Sequence, residues 1–438
     1  MKRILSIMLV AFLIGTLVTG CGGSGGSSAP ETKSQQRADK VTIEYWQYSF
    51  GPKVEMINEL IKEFETKNPG IRIVHTTFPY EQFNEKVATS IPAGRGPDVI
   101  NLYYGWLPKY IESKYIQPLP EDAFPSAAIE KDFVPMVQAA NFDGKYYALP
   151  TAVRTTALLW NKDLFKAAGL DPEKPPTTLE ELVSYAKQLT KRDSKGKLLI
   201  SGVSGDVGGQ GQHWFREMLL REFGVTPITD RRKVNYNQNP AGYQAWDYFL
   251  SFAGKYKFWE QGFYQDVRTA FNTGHMAMQI TGSFELGTIA KDAPNLNLGV
   301  GEPPAGPKGR SSFGSFWANA ITSKAEGTRR DAAVKFIKFL SSSEVMKRWT
   351  KKVGELPARK EFLTNPELVS DPRIGPFMKT LSYSHATFFV DEKAQRDNIM
   401  QAYEEVLLKG VDPKKALDEL VAKEQALYDS YWAKANKK

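Results

Sequence analysis

Cysteine is nearly missing: Cys21 is the only one in 438 residues, which excludes a disulfide framework and a thiolate metal site within the chain. Histidine is almost as scarce. His75, His213, His275 and His385 are scattered, with no HExxH pair or other metal-ligand spacing, and no Gly-x-Ser-x-Gly elbow marks a hydrolase nucleophile. No phosphate-binding loop is complete. Gly301 and Gly306 have the spacing of half a Walker loop, but Pro307 fills the lysine position, and the five glycines between Gly202 and Gly211 come without the lysine. Charge of one sign never gathers either. The formal excess of +8 is spread through the chain with no basic block, so composition gives no argument for nucleic acid. Only one long apolar run exists, Ile4 to Val18, and its roughly fifteen residues fall short of the about twenty that span a bilayer.

That run is the first thing present. Lys2-Arg3 precedes it and Thr19-Gly20-Cys21 follows, which is the order of charged region, apolar region and small-residue cleavage site in an export signal. Val18-Thr19-Gly20-Cys21 also resembles the lipobox of bacterial lipoproteins, and the resemblance implies acylation of the Cys21 thiol and cleavage just before it. Gly22 to Ser28, all glycine and serine, reads as flexible linker. The expectation is a signal peptide over residues 1–20, a lipidated Cys21 with a tether over 21–39, and a body held on the outer face of the bacterial membrane or the periplasmic side of an envelope membrane. A second acyl chain would make that hold stable, since one anchors only marginally.

The body of about 400 residues exceeds one typical core and predicts two lobes. Val41, Ile43 and Tyr45 alternate as a strand. Val54, Ile57, Leu60, Ile61 and Phe64 then recur at helical spacing until Asn68-Pro69-Gly70. Ile71 to Val74 is a second strand, Phe83, Val87 and Ile91 mark a second helix, and Asp98 to Leu102 a third strand. This alternation predicts an α/β lobe with parallel neighbours. Thr178-Leu179-Glu180-Glu181 has the form of a capping box, Asn239-Pro240 opens another helix, and the tail from Gln395 is helical with a break at Gly410.

Gly94-Arg95-Gly96-Pro97-Asp98-Val99 resembles the hallmark of bacterial extracellular solute-binding proteins of family 1, the maltose-binding-like receptors of ABC importers. Trp160 to Leu170, Pro175 to Leu182, Phe271 to Met278, Pro303 to Pro307, Ala333 to Leu340 and Leu356 to Arg359 are similar to further segments in the same order. The resemblance covers nearly the whole body. It implies an α/β, two-lobed periplasmic-binding-protein-like (type 2) fold, each lobe with a mostly parallel sheet and the ligand in the cleft between them. Residues 40–153 and 302–345 would form the first lobe, and 154–301 and 346–438 the second.

The same resemblance places ligand-facing residues at Trp46, Gln47 and Tyr48, at Tyr103, Tyr104 and Trp106, at Arg154, and at Trp317. In the second lobe it points to Asp206, Gln210, His213, Trp214, Phe284 and Glu285. Rings cover the apolar face of a sugar and polar side chains bond its hydroxyl rim, so this composition suits carbohydrate. Gly105 and Arg154 stand where maltose receptors tend to carry acidic side chains, which counts against maltose itself. The implied activity is capture of a sugar or oligosaccharide by lobe closure and delivery to an ABC permease, by a lipid-anchored monomer with no cofactor, metal or catalytic residue. A polyamine, phosphodiester or opine receptor of the same fold, and a secreted carbohydrate-active enzyme, are the alternatives.

Overall fold

The computed structural model describes residues 40–435 apart from Gly209 and Gln210. The expected signal peptide, the lipidated Cys21, the tether and Gln210 lie outside the described residues. The chain runs through β1 (Val41–Tyr48), α1 (Gly51–Lys67), β2 (Ile71–Phe78), α2 (Tyr80–Ser90) and β3 (Val99–Tyr103). After shorter pieces come β4 (Leu149–Arg154), β5 (Thr156–Asn161), α3 (Leu179–Leu189), α4 (Pro240–Ser251), α5 (Val267–Asn272), β6 (Met278–Gly282), α6 (Glu285–Asp292) and β7 (Leu298–Gly301). Then follow β8 (Ser312–Phe313), β9 (Ser315–Ile321), α7 (Gly327–Leu340), α8 (Ser343–Val353), β10 (Leu356–Pro357), β11 (Ser384–His385), α9 (Glu392–Lys409) and α10 (Pro413–Ala435).

Six strands form the larger sheet in the order β10, β4, β9, β3, β1, β2. β1 pairs in parallel with β2, from Val41 opposite Ile71 to Tyr48 opposite Phe78, and in parallel with β3. The expected mostly parallel sheets are corrected beyond this point. β9 runs antiparallel to β3 and to β4, and β10 antiparallel to β4. The smaller sheet, β6-β5-β7, is antiparallel throughout. β9 comes back from the smaller sheet and β10 follows α8 by a short turn, so neither needs the crossover that parallel pairing requires, whereas β1 to β3 are joined by helices and run the same way.

Burial follows these sheets. β5 alternates: Ala157 and Leu159 join the core that spreads from the larger sheet, while Leu158 and Trp160 join a second core with Trp214, Phe215, Trp246 and Phe249. β4 and β5 meet at Thr155, so the chain passes directly from one sheet to the other there, and it returns between β7 and β9. The return to the second lobe is expected at 346. That position falls inside α8, whose Val345, Met346, Trp349 and Val353 are buried in the larger sheet's core, and β10 still belongs to that sheet.

The Gly-Pro-Asp segment acts as a lock at the start of β3. Asp98 Oδ2 accepts from the Glu44 amide at 2.9 Å, Oδ1 pairs with Arg329 at 3.2 Å, and the Pro97 carbonyl accepts from Thr322 at 2.6 Å. Three separate stretches of chain are joined by one buried carboxylate. The capping box is half as expected: Thr178 Oγ1 accepts from the Glu181 amide, but the Glu181 carboxylate turns to the amide and hydroxyl of Thr177 at 2.7 and 2.8 Å.

Candidate functional site

The carboxyl ends of β1, β3 and β4 and the start of β9 share one edge of the larger sheet, because β9 is antiparallel to both neighbours. Trp317 stands opposite Tyr103 and Ser315 opposite Arg154. This edge is where open α/β sheets receive ligands. Tyr48, Tyr103, Arg154 and Trp317, with Phe50 and Tyr80 from the turns after β1 and β2, line a cavity of about 460 Å³. Its other wall is Arg268, Phe284 and the first turns of α9. A second cavity of about 620 Å³ lies along the smaller sheet, walled by Thr156, Asp206, His213, Trp214, Asp266, Gln279, Thr281, Glu285 and Phe313 among others. Arg154, Arg268 and Phe284 line both, which makes them chambers of one cleft.

Every cation on these walls has a carboxylate. Arg154 Nε donates to Glu355, Arg268 forks onto Glu285 at 2.9 and 2.7 Å, Arg396 meets Glu392 at 3.5 Å, and Lys393 meets Asp397 at 2.5 Å. The neutral groups are left open instead. The indole Nε1 of Trp214 and both ring nitrogens of His213 are buried without a hydrogen-bond partner among the described residues. Burial, aided by Arg216 and Arg396, holds His213 well below the usual histidine range, so its ring is neutral and offers one donor and one acceptor. That ring lies flat on Phe313, with centroids 3.7 Å apart.

In the other chamber Tyr48 stacks on Trp317 at 4.0 Å, with Tyr80 edge-on to both. Burial pushes the Asp206 carboxyl up, and the nearby Asp266 adds to this. The Asp206 loop depends on close backbone packing: a Cβ on Gly211 would lie 2.2 Å from the Asp206 carbonyl oxygen. Among the described residues no group of three His, Cys, Asp or Glu is arranged to hold a metal.

Of the residues expected from sequence, Tyr48, Tyr103, Arg154 and Trp317 stand in the smaller chamber, and Arg154, Asp206, His213, Trp214, Phe284 and Glu285 in the larger. Four others stand elsewhere. Trp46 packs on Phe78 and Gln47 is 1% exposed, neither among the residues that wall the two chambers. Trp106 lies behind the wall, packed on Trp317 and donating its indole N–H to Glu392 at 3.1 Å. Tyr104 faces a separate hollow of about 260 Å³ with Phe142 and Phe389. Neighbours in sequence at a strand end point to opposite sides, so a run of aromatics cannot all reach one cleft.

Phe50, Tyr80, Asp266, Arg268 and the α9 residues were missed. Tyr80 was within reach, since it follows the end of β2 just as Tyr48 ends β1. The α9 residues lie some three hundred positions from the rings they face, and no local signal marks them.

Residues 59–376 match the sequence profile described as bacterial extracellular solute-binding protein. The maltotriose-binding protein of Pyrococcus abyssi is 25% identical, over 79% of this chain and 72% of its own length. The sn-glycerol-3-phosphate-binding periplasmic protein of Escherichia coli is 27% identical, over 73% of this chain and 74% of its own. Among solved structures, the ABC transporter solute-binding protein of Thermotoga lettingae bound with α-D-tagatose superposes with a TM-score of 0.77 at 24% identity, covering 89% of this chain and 100% of that one.

Proposed function

The chain belongs to the bacterial extracellular solute-binding protein family, and we propose that it is the receptor of an ABC importer that captures a neutral sugar or oligosaccharide. The reading rests on one observation: the cleft neutralises each of its cations while leaving Trp214 Nε1 and the His213 ring nitrogens buried and unpaired beside aromatic faces. A buried polar group without a partner costs free energy until a ligand supplies one, and hydroxyls supply both donors and acceptors. An anionic ligand of the kind named for the Escherichia coli relative would call for an uncommitted cation.

Binding without chemistry is the mechanism. A ligand that touches walls from both sheets makes its full set of contacts only when the cleft is closed, so it shifts the population toward the closed form, which a membrane permease then recognises. The export signal and acylated Cys21 would keep the receptor beside that permease.

A cationic solute is the second reading, because Asp206 and Asp266 share the larger chamber and neither has an ion pair among the described residues. A thermal-shift screen with maltotriose, mannotriose, tagatose, sn-glycerol 3-phosphate and spermidine separates the readings. An oligosaccharide is expected to raise the melting temperature and change tryptophan fluorescence. A response to spermidine alone would overturn the sugar reading, and product accumulating in long incubations would overturn binding without chemistry.

A further inference from the structure

Glu355 is absent from the cavity walls and is 2% exposed, yet three donors from three elements converge on it. Its Oε1 accepts from Arg154 Nε, at the end of β4, and pairs with Lys53 Nζ of α1 at 3.1 Å. Its Oε2 accepts from the indole N–H of Trp349, on α8, at 2.8 Å. Arg154 passes the constraint on. Its Nη2 donates to the Tyr48 hydroxyl at 2.9 Å, and its guanidinium lies over the Phe284 ring at 4.6 Å. Arg154 and Phe284 are walls of both chambers, and Tyr48 carries the Trp317 stack.

The backbone around Glu355 is also fixed against the far side of the cleft. Gly354 has φ +82°, and a Cβ there would meet Gly287 N and Leu286 Cβ at 3.0 Å, while one on Gly287 would meet the Val353 carbonyl at 2.5 Å. The Val353–Glu355 turn is thus seated on the start of α6, which follows Phe284 directly. We propose that Glu355 is the positioning residue of the cleft: without touching ligand, it sets Arg154, and through Arg154 the Tyr48 hydroxyl and the Phe284 ring, in the arrangement that receives the sugar. The role rests on the carbohydrate reading for its ligand, and on the geometry alone for its effect on the walls.

Binding of maltotriose and mannotriose to the mature chain tests it by calorimetry, in Glu355→Gln and in the double variant Lys53→Met/Glu355→Gln. Below pH 7, where Lys53 is protonated, Glu355→Gln leaves Lys53 and Arg154 buried without a counter-charge and is expected to lower the melting temperature. The double variant removes one of those charges and regains much of that loss. Affinity is expected to stay reduced in both by about ten-fold or more, the scale of a lost charge-assisted hydrogen bond. A double variant that binds as tightly as the wild type would overturn the role.

If neither trisaccharide binds the wild type, the indole N–H resonance of Trp317 decides the positioning role without ligand. It is expected to shift in Glu355→Gln, which keeps the Lys53 side chain over the Trp317 ring, while that of Trp246, in the second core, stays in place. An unmoved Trp317 signal would overturn the proposal, whereas failure of both sugars by itself bears on the carbohydrate reading.

Discussion

Trp214 opens a π-helical turn, Trp214–Leu219, and that wide turn brings it and His213 to the cavity wall with their polar atoms unpaired. π-turns are uncommon and concentrate at functional sites. Trp214→Phe removes the donor together with part of a buried ring packed on Phe249 and Phe252, so sugar affinity is expected to fall by about 1 kcal/mol, roughly five-fold in Kd, and the melting temperature to fall with it; calorimetry and a thermal melt check both. Lys53 makes a second prediction. Burial, opposed by Glu355 and aided by Arg154, lowers its ammonium from 10.5 to about 7. Between those two values the unfolded chain holds the proton and the folded chain does not, so this group makes stability rise with pH from 7 toward 10.5. Urea unfolding across that range should show a rise in the wild type that is reduced in Lys53→Met. A rise that is unchanged would count against Lys53 as its source. The sequence marked Arg154 and Trp214 as polar and aromatic residues near a cleft, but nothing near Lys53 or Glu355 in the chain announces that three hundred residues of separation close into one ion cluster.

At the level of elements, the motif that identified the family most directly lies away from the ligand. Asp98 stands at the start of β3 and the cleft at its end, beyond Tyr103. Asp98→Ala is therefore expected to destabilise the fold by about 2 kcal/mol, because it takes the acceptor from the Glu44 amide and the partner from the part-exposed Arg329, while leaving ligand preference as it was; urea unfolding and a repeat of the ligand panel measure the two effects. Helix boundaries were readable for a local reason. Asn239 caps α4 by accepting from the amides of Ala241 and Gly242, and Gly410 ends α9 at φ +67°, each an effect between residues a few positions apart. Strand direction was not readable in the same way. β1 to β3 are linked by helices and came out parallel, but whether β9 lies along β3 or against it depends on the edge by which the chain re-enters the sheet, and no residue in Ser315 to Ile321 encodes that.

For the whole molecule, one further expectation concerns the anchor. Cys21→Ser should leave the body folded and ligand affinity intact while releasing the protein from the cell surface, read by fractionation and by loss of labelled palmitate; a variant that stays in the membrane fraction would refute anchoring through this residue. The separation is expected because an acyl chain on Cys21 acts by inserting into the bilayer, whereas the described walls of the cleft are built from residues of the body, Tyr48 to Met400. Amphipathic periods, caps and the ordered family segments determined from sequence that this chain makes α/β lobes around a cleft, since each of those signals acts over a few residues. Only the tertiary structure decided which aromatics of Trp46 to Tyr48 and Tyr103 to Trp106 reach that cleft, that α8 and β10 stay with the larger sheet, and that each cleft cation is matched by a carboxylate. Those facts depend on contacts between residues far apart in the chain, where burial and charge pairing are settled by how the sheets meet and not by any local pattern.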